Sequence, residues 1–118
     1  MSKPILFGIP NCDTIKKARK WLESQEIEHQ FHDFRKQGLD PDWLERAERA
    51  VGWELLLNKR GTTFRQLPDE QKQDLDRDTA LSLLNAHPAM IKRPVLQYNS
   101  EFFVGFKPEQ YQEIFANA

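Results

Sequence analysis

Thiols are almost absent from this chain: its 118 residues include a single cysteine, Cys12. That excludes an internal disulfide and a metal site built from several thiolates. His29, His32 and His87 show no metal-ligand spacing. Long apolar runs are missing as well. The longest, Ile5-Leu6-Phe7-Gly8-Ile9, is far too short to span a bilayer. Met1-Ser2-Lys3-Pro4 shows no signal-peptide pattern, so the expectation is a cytoplasmic protein that engages no membrane. Charge of one sign is not in excess: 17 basic and 18 acidic side chains give a net charge of −1. No bulk field draws the chain to nucleic acid, and a basic site has to be local. No Gly-rich phosphate loop, paired-carboxylate site, repeat or low-complexity tract stands out.

What is present is an ordinary globular composition, 39% hydrophobic and 30% charged. The length fits one domain, residues 1–118, burying roughly two thirds of its unfolded surface, and a monomer is the simplest expectation.

Pro4 to Ile9 reads as a short buried strand, broken by Gly8, Pro10 and Asn11. A helix follows from Asp13 to Gln25, with Ile15, Ala18 and Leu22 inward and Trp21 at the edge. Lys16, Lys17, Arg19, Lys20 and Glu23 fall on its outer side. Ile27 to Phe34 reads as a second strand with Ile27, His29 and Phe31 on one face, completing a βαβ unit with a parallel pair. Asp40-Pro41 starts a helix that Gly52 stops, and Trp53 to Leu57 is a short second one. After the loop Asn58-Lys59-Arg60-Gly61 come a polar helix, Pro68 to Leu75, and another capped by Asp78 that ends by His87-Pro88. Val95 to Tyr98 and Phe102 to Val104 flank the turn Asn99-Ser100-Glu101 as a hairpin, and Pro108 opens a last helix with Tyr111, Ile114 and Phe115 inward. The order is βαβ, a helical block over about 40–88, then ββα. The block reads as an insertion within one mixed α/β domain.

Cys12 lies between the first strand and the first helix, among turn-forming residues and outside the core pattern. The first N–H groups of a helix lack intrahelical partners, and with the helix dipole they favour an anion there. A thiolate at that end is stabilised. Lys16 and Lys17 add positive charge, while Asp13 opposes it unless it caps the helix. Thr14 reads first as a helix-start residue that hydrogen-bonds locally, with a contact to the sulfur as its second role. His87 suits a helix C-terminus. His29 and His32 need no catalytic role, and Trp21, Trp43 and Trp53 read as core or half-buried packing. Taken singly, arginines among 17 basic residues are surface residues. Arg60 and Arg93, however, each adjoin a backbone punctuator, Gly61 or Pro94, in loops where binding groups concentrate.

The segment Ile9-Pro10-Asn11-Cys12-Asp13-Thr14 with Lys16-Lys17-Ala18 resembles the active-site loop of the ArsC/Spx/YffB group, nearest its YffB-like branch. Asn58-Lys59-Arg60-Gly61, Ile91-Lys92-Arg93-Pro94 and Val104-Gly105-Phe106 match later motifs in order, so the resemblance runs from Ile5 to Phe115. It implies a thioredoxin-like, ArsC-type mixed sheet with an inserted helical block. It implies that Cys12 is the nucleophile and that Arg60 and Arg93 bind an oxyanion or the charged groups of a partner thiol. Pro94 would be the cis-proline of such folds, and Asn11, Thr14 and Lys107 complete the candidate binding set. The implied activity is a glutathione-dependent thiol reductase, with glutathione as co-substrate, a glutaredoxin-type protein as a further partner, and no metal or tightly bound cofactor. Two departures matter. Lys107 stands where arsenate reductases commonly carry a third arginine, and lysine lacks the planar fork that grips an oxyanion bidentately. Cys12-Asp13-Thr14-Ile15 also lacks the Cys-x-x-Cys pair of Spx-type regulators. Arsenate reduction proper and a non-enzymatic, Spx-like docking module are the alternatives.

Overall fold

The computed structural model describes residues 3–116. Four strands form one mixed sheet: β1 (Ile5–Gly8), β2 (Gln30–Asp33), β3 (Val95–Tyr98) and β4 (Glu101–Val104), in the spatial order β2-β1-β3-β4. β1 runs parallel to β2 and antiparallel to β3, which pairs antiparallel with β4. Helix α1 (Asp13–Ser24) makes the crossover between the parallel strands. Between β2 and β3 lie α2 (Phe34–Gln37), α3 (Pro41–Val51), α4 (Trp53–Leu56), α5 (Thr62–Arg65), α6 (Asp69–Lys72), α7 (Arg77–Ala86) and a 3-10 turn, Pro88–Met90. Helix α8 (Pro108–Ala116) follows β4. This βαβ, helices, ββα order is the thioredoxin-like, ArsC-type α/β fold expected from the sequence. Among the described residues no helix is long and apolar enough to cross a membrane.

The sheet separates two cores, because successive strand residues face opposite sides. Leu6 and Leu96 face α1 and α8, where Ile15, Ala18, Leu22 and Tyr111 close one cluster. Phe7 and Val95 face the helical block and pack with Trp43, Leu44, Leu56, Leu84 and Ile91. The Trp43 indole N–H donates to Gln97 Oε1 at 3.0 Å and fixes α3 over β3. The half-exposed Arg77 donates from Nε to the buried carboxylate of Glu48 at 2.6 Å, which ties α7 to α3.

The local signals at Asp40-Pro41 and Gly52 act as read. Asp40 Oδ1 accepts the Asp42 N–H at 3.0 Å, Pro41 opens α3, and Gly52 ends it at φ 88°. Other boundaries differ. β2 begins at Gln30, not Ile27, because its partner β1 begins at Ile5, opposite Gln30, and residues 27–29 have no strand beside them. Phe34 is not in the strand: the Asp33 carboxylate accepts the Arg35 N–H at 2.8 Å and turns the chain into α2. Asp78 does not cap α7. Asp76 does, in a capping box with Thr79 in which each side chain accepts the other's backbone N–H, leaving Asp78 inside the first turn. The helix expected over 68–75 is the single turn α6, which extended backbone at Gln73 ends before the positive φ of Asp74. Helix α5 went unread, although Phe64 anchors it in the core. The turn of the hairpin is Asn99-Ser100 alone, both at positive φ, with Glu101 already in β4. Arg19 does not lie fully outside α1. Its guanidinium sits 4.8 Å over the Phe31 ring, and its Nε is buried without a hydrogen-bond partner.

Two outcomes follow from this packing. A Cβ at Gly8 would stand 2.5 Å from Ile15 Cδ1 in the core, so Gly8→Ala should lower the unfolding free energy by about 1–3 kcal/mol, read from urea denaturation. The second concerns His29, whose Nε2 is buried without a partner; burial, reinforced by the neighbouring Arg19 charge, holds its pKa below the ordinary 6.5. The unfolded chain then takes up the proton first, so stability should fall as pH drops through that value toward the lowered one. His29→Gln should flatten this part of the urea midpoint against pH curve.

Candidate active site

Three segments converge at one end of the sheet: the loop from β1 into α1, the entry to β3, and the turn from β4 into α8. Gly8 closes β1 without a side chain, and two neighbours occupy the space above it. Ile15 fills the position where a Cβ would sit, and Arg93 Cγ lies 3.8 Å from that point. The Arg93 stem thus crosses the end of the strand that delivers Cys12.

Cys12 is the N-cap residue of α1, with extended backbone (φ −128°, ψ 123°), and its carbonyl accepts the Lys16 N–H at 3.0 Å. No side chain caps this helix start. Its first amides therefore have no side-chain acceptor at the turn that carries the sulfur. Asp13 is the first helical residue, not the cap, and brings a negative charge into the same turn. Cys12 is half-buried and packs against both cores. Lys16 and Lys17 are exposed on the helix just beyond it.

The Arg93–Pro94 peptide bond is cis, as the resemblance implied, and Pro94 is fully buried. Lys92 N–H donates to Leu56 O at 2.7 Å, and Gly105 N–H donates to Pro94 O at 2.9 Å. These bonds fix the segment between α4 and the end of β4. Beside it opens a cleft of about 510 Å³ lined by Thr14, Lys92, Arg93, Lys107 and Gln110 and by the Val104-Gly105-Phe106 segment. Among the described residues three cations and no carboxylate line it. Among the described residues none of these three cations makes an ion pair. Such an arrangement suits an anionic ligand, since a Lys or Arg without an internal acid partner keeps its field for the ligand.

The structure therefore brings Thr14, Arg93 and Lys107 to one cleft, with the cis-Pro94 segment as its wall. It does not bring Asn11, Arg60 or Pro94 itself to that lining, and Cys12 lies two residues before the lining residue Thr14 and is not part of the lining. Asn11 is exposed in the bend before Cys12. Arg60 is exposed in the 58–61 loop, where its N–H donates to Asn58 Oδ1 at 3.1 Å. The Thr14 hydroxyl makes no local hydrogen bond among the described residues, and Thr14 lines the cleft, which corrects its reading as a locally bonded helix-start residue. Lys92 and Gln110 are the residues the sequence reading passed over. Lys92 stands inside the Ile91-Lys92-Arg93-Pro94 motif, and Gln110 follows Lys107 by three positions into α8, so both signals were in the sequence. His87 caps the C-terminus of α7, and Trp43 is buried while Trp21 and Trp53 are half-buried, as expected. Among the described residues no group of three His, Cys, Asp or Glu could hold a metal ion.

Comparison with known proteins places this geometry in a family. The profile of the ArsC family matches residues 7–114. An uncharacterised protein of Haemophilus influenzae is 48% identical over 111 residues, covering 94% of this chain and 97% of the relative. The global transcriptional regulator Spx of Streptococcus mutans is 26% identical, covering 89% of this chain and 77% of its own. Among solved structures, a YFFB protein is 46% identical at a TM-score of 0.90, covering 93% and 96% of the two chains. An arsenate reductase (ArsC) related protein of Brucella melitensis is 48% identical at a TM-score of 0.79, covering 97% and 95%. The match over nearly the full length, with the motifs in their expected order, makes this chain a member of the ArsC family.

Proposed function

We propose that the protein is a thiol reductase in which Cys12 is the nucleophile and glutathione the electron donor. The observation that carries this reading is the half-buried sulfur at an uncapped helix start, two residues before Thr14, which shares a cleft with Lys92, Arg93 and Lys107 and, among the described residues, with no carboxylate. Amides without a side-chain acceptor favour an anion at a helix start, and the cations suit a ligand that carries carboxylates or an oxyanion.

The chemistry closes without a second protein thiol. The Cys12 thiolate attacks one sulfur of a disulfide substrate, forms a mixed disulfide and expels the other half as a thiolate. A first glutathione thiolate attacks the Cys12 sulfur, releases the remaining substrate half as a thiol and stays bound to Cys12. A second glutathione, or a glutaredoxin-type thiol, then removes it as a disulfide and restores the Cys12 thiolate. Arg93 and Lys107 hold the carboxylates of the incoming thiol peptide. Arsenate reduction uses the same nucleophile but asks for bidentate oxyanion capture, which Lys107 does not supply as an arginine would. A cytoplasmic site of action fits this thiol economy.

Incubation with oxidised glutathione should add one glutathione to Cys12, seen by intact-mass spectrometry and peptide mapping. Cys12→Ser should show no adduct and no glutathione-coupled turnover, and an undiminished turnover in that variant would end the reading. Arg93→Ala should slow adduct formation by roughly ten- to a hundred-fold, the loss of one charged hydrogen bond. Lys107→Arg should raise arsenate turnover while leaving the glutathione reaction within a factor of about two.

A further inference from the structure

The outer edge of β4 carries free backbone groups between two cation-lined grooves. The hairpin register pairs Tyr98 with Glu101 and Leu96 with Phe103. A two-residue turn makes the flanking pair hydrogen-bonded, and the pattern alternates from there. The Gly105 N–H to Pro94 O bond continues the same alternation. The N–H and C=O groups of Phe102 and Val104 therefore point away from β3, toward the open edge. Among the described residues no backbone or side-chain bond reaches them.

Each of these residues also belongs to a groove. Phe102 lines a hollow of about 400 Å³ with Arg46 and Arg49 of α3, Gln97 and Ser100. Val104 lines the cleft with Lys92, Arg93 and Lys107. Arg46 and Arg49 are exposed, three residues apart and so on one helix face, and make no ion pair among the described residues. Four strand residues span only about 13 Å, so one extended segment reaches both grooves.

We propose that β4 is a docking edge for an extended acidic segment of a protein substrate, whose backbone pairs with Phe102 and Val104, whose carboxylates face Arg46 and Arg49, and whose disulfide is thereby carried into the cleft beside Cys12. Main-chain bonds supply affinity without sequence preference, and the two arginines supply the preference for acid. The proposal rests on Cys12 as nucleophile only for the redox step: its thiolate attacks the peptide's disulfide sulfur, the new S–S bond joins peptide to Cys12, and the displaced thiolate leaves. The docking itself is independent of that chemistry.

The test uses two synthetic peptides of about eight residues that differ only in Glu against Gln, each with its cysteine held as a disulfide to thionitrobenzoate, with 2-hydroxyethyl disulfide as the small neutral control. Thionitrobenzoate release should run roughly three- to ten-fold faster from the acidic peptide, and the gap should shrink with salt. Arg46→Gln/Arg49→Gln should abolish the gap while leaving the rate with 2-hydroxyethyl disulfide unchanged. In Cys12→Ser, titration with the acidic peptide should shift the Phe102 and Val104 amide resonances and slow their hydrogen exchange. Equal rates for the two peptides, or a gap that survives the double substitution, overturns the proposal. So does an acidic peptide that leaves those two amides unmoved. A protein whose Cys12 reacts with no disulfide, yet whose β4 amides still respond, refutes the reductase reading and leaves the docking edge standing.

Discussion

The site depends on one close approach. Gly8 ends the central strand without a Cβ, and Ile15 from α1 and the Arg93 stem from the entry to β3 occupy the space this leaves. A Cβ at Gly8 would force the Ile15 Cδ1 methyl aside, while the Arg93 stem would stay in ordinary van der Waals contact with it. The missing Cβ thus lets α1, which carries Cys12 at its start, seat Ile15 against the strand end, with the Arg93 stem beside it. Because packed interiors tolerate little extra volume, this fixes the geometry more firmly than the flexible side chains of the cleft could.

Charge is arranged on a scale that the net value of −1 hides. Where the helical block meets itself, Arg77 is shared among Glu45, Glu48 and Asp78, so that cation is spent internally. Among the described residues the cations around the cleft have no such partners. A chain with near-equal numbers of acids and bases can therefore present a local positive field, provided its acids are placed elsewhere or tied up. The two grooves that flank β4 share this property, which is why the edge and the thiol belong to one surface.

Legibility from sequence varied with the range of the cause. The inward face of α1, Ile15, Ala18 and Leu22, was readable because helical periodicity is local, and all three are buried. The Asp40-Pro41 start and the Gly52 stop were readable because the groups involved lie within one turn. The extent of β2 was not, because its first paired residue is decided by where β1 begins. The cap of α7 was misplaced by two residues because Asp76 and Asp78 are chemically alike, and only the reciprocal bond with Thr79 distinguishes them. Arg19 read as a surface cation; its partner ring, Phe31, comes from another element.

The sequence alone determined the strands and the longer helices, the single thiol at a strand-to-helix junction, the ordered motifs and the family resemblance, since each rests on residues near one another along the chain. Tertiary structure alone decided that Thr14, Lys92, Arg93 and Lys107 share one cleft while Arg60 and Asn11 do not line it, and that β4 is left with an open edge. Those outcomes depend on which strands pair and how the segments between them return, and no local pattern of side chains encodes a distance between residues eighty positions apart.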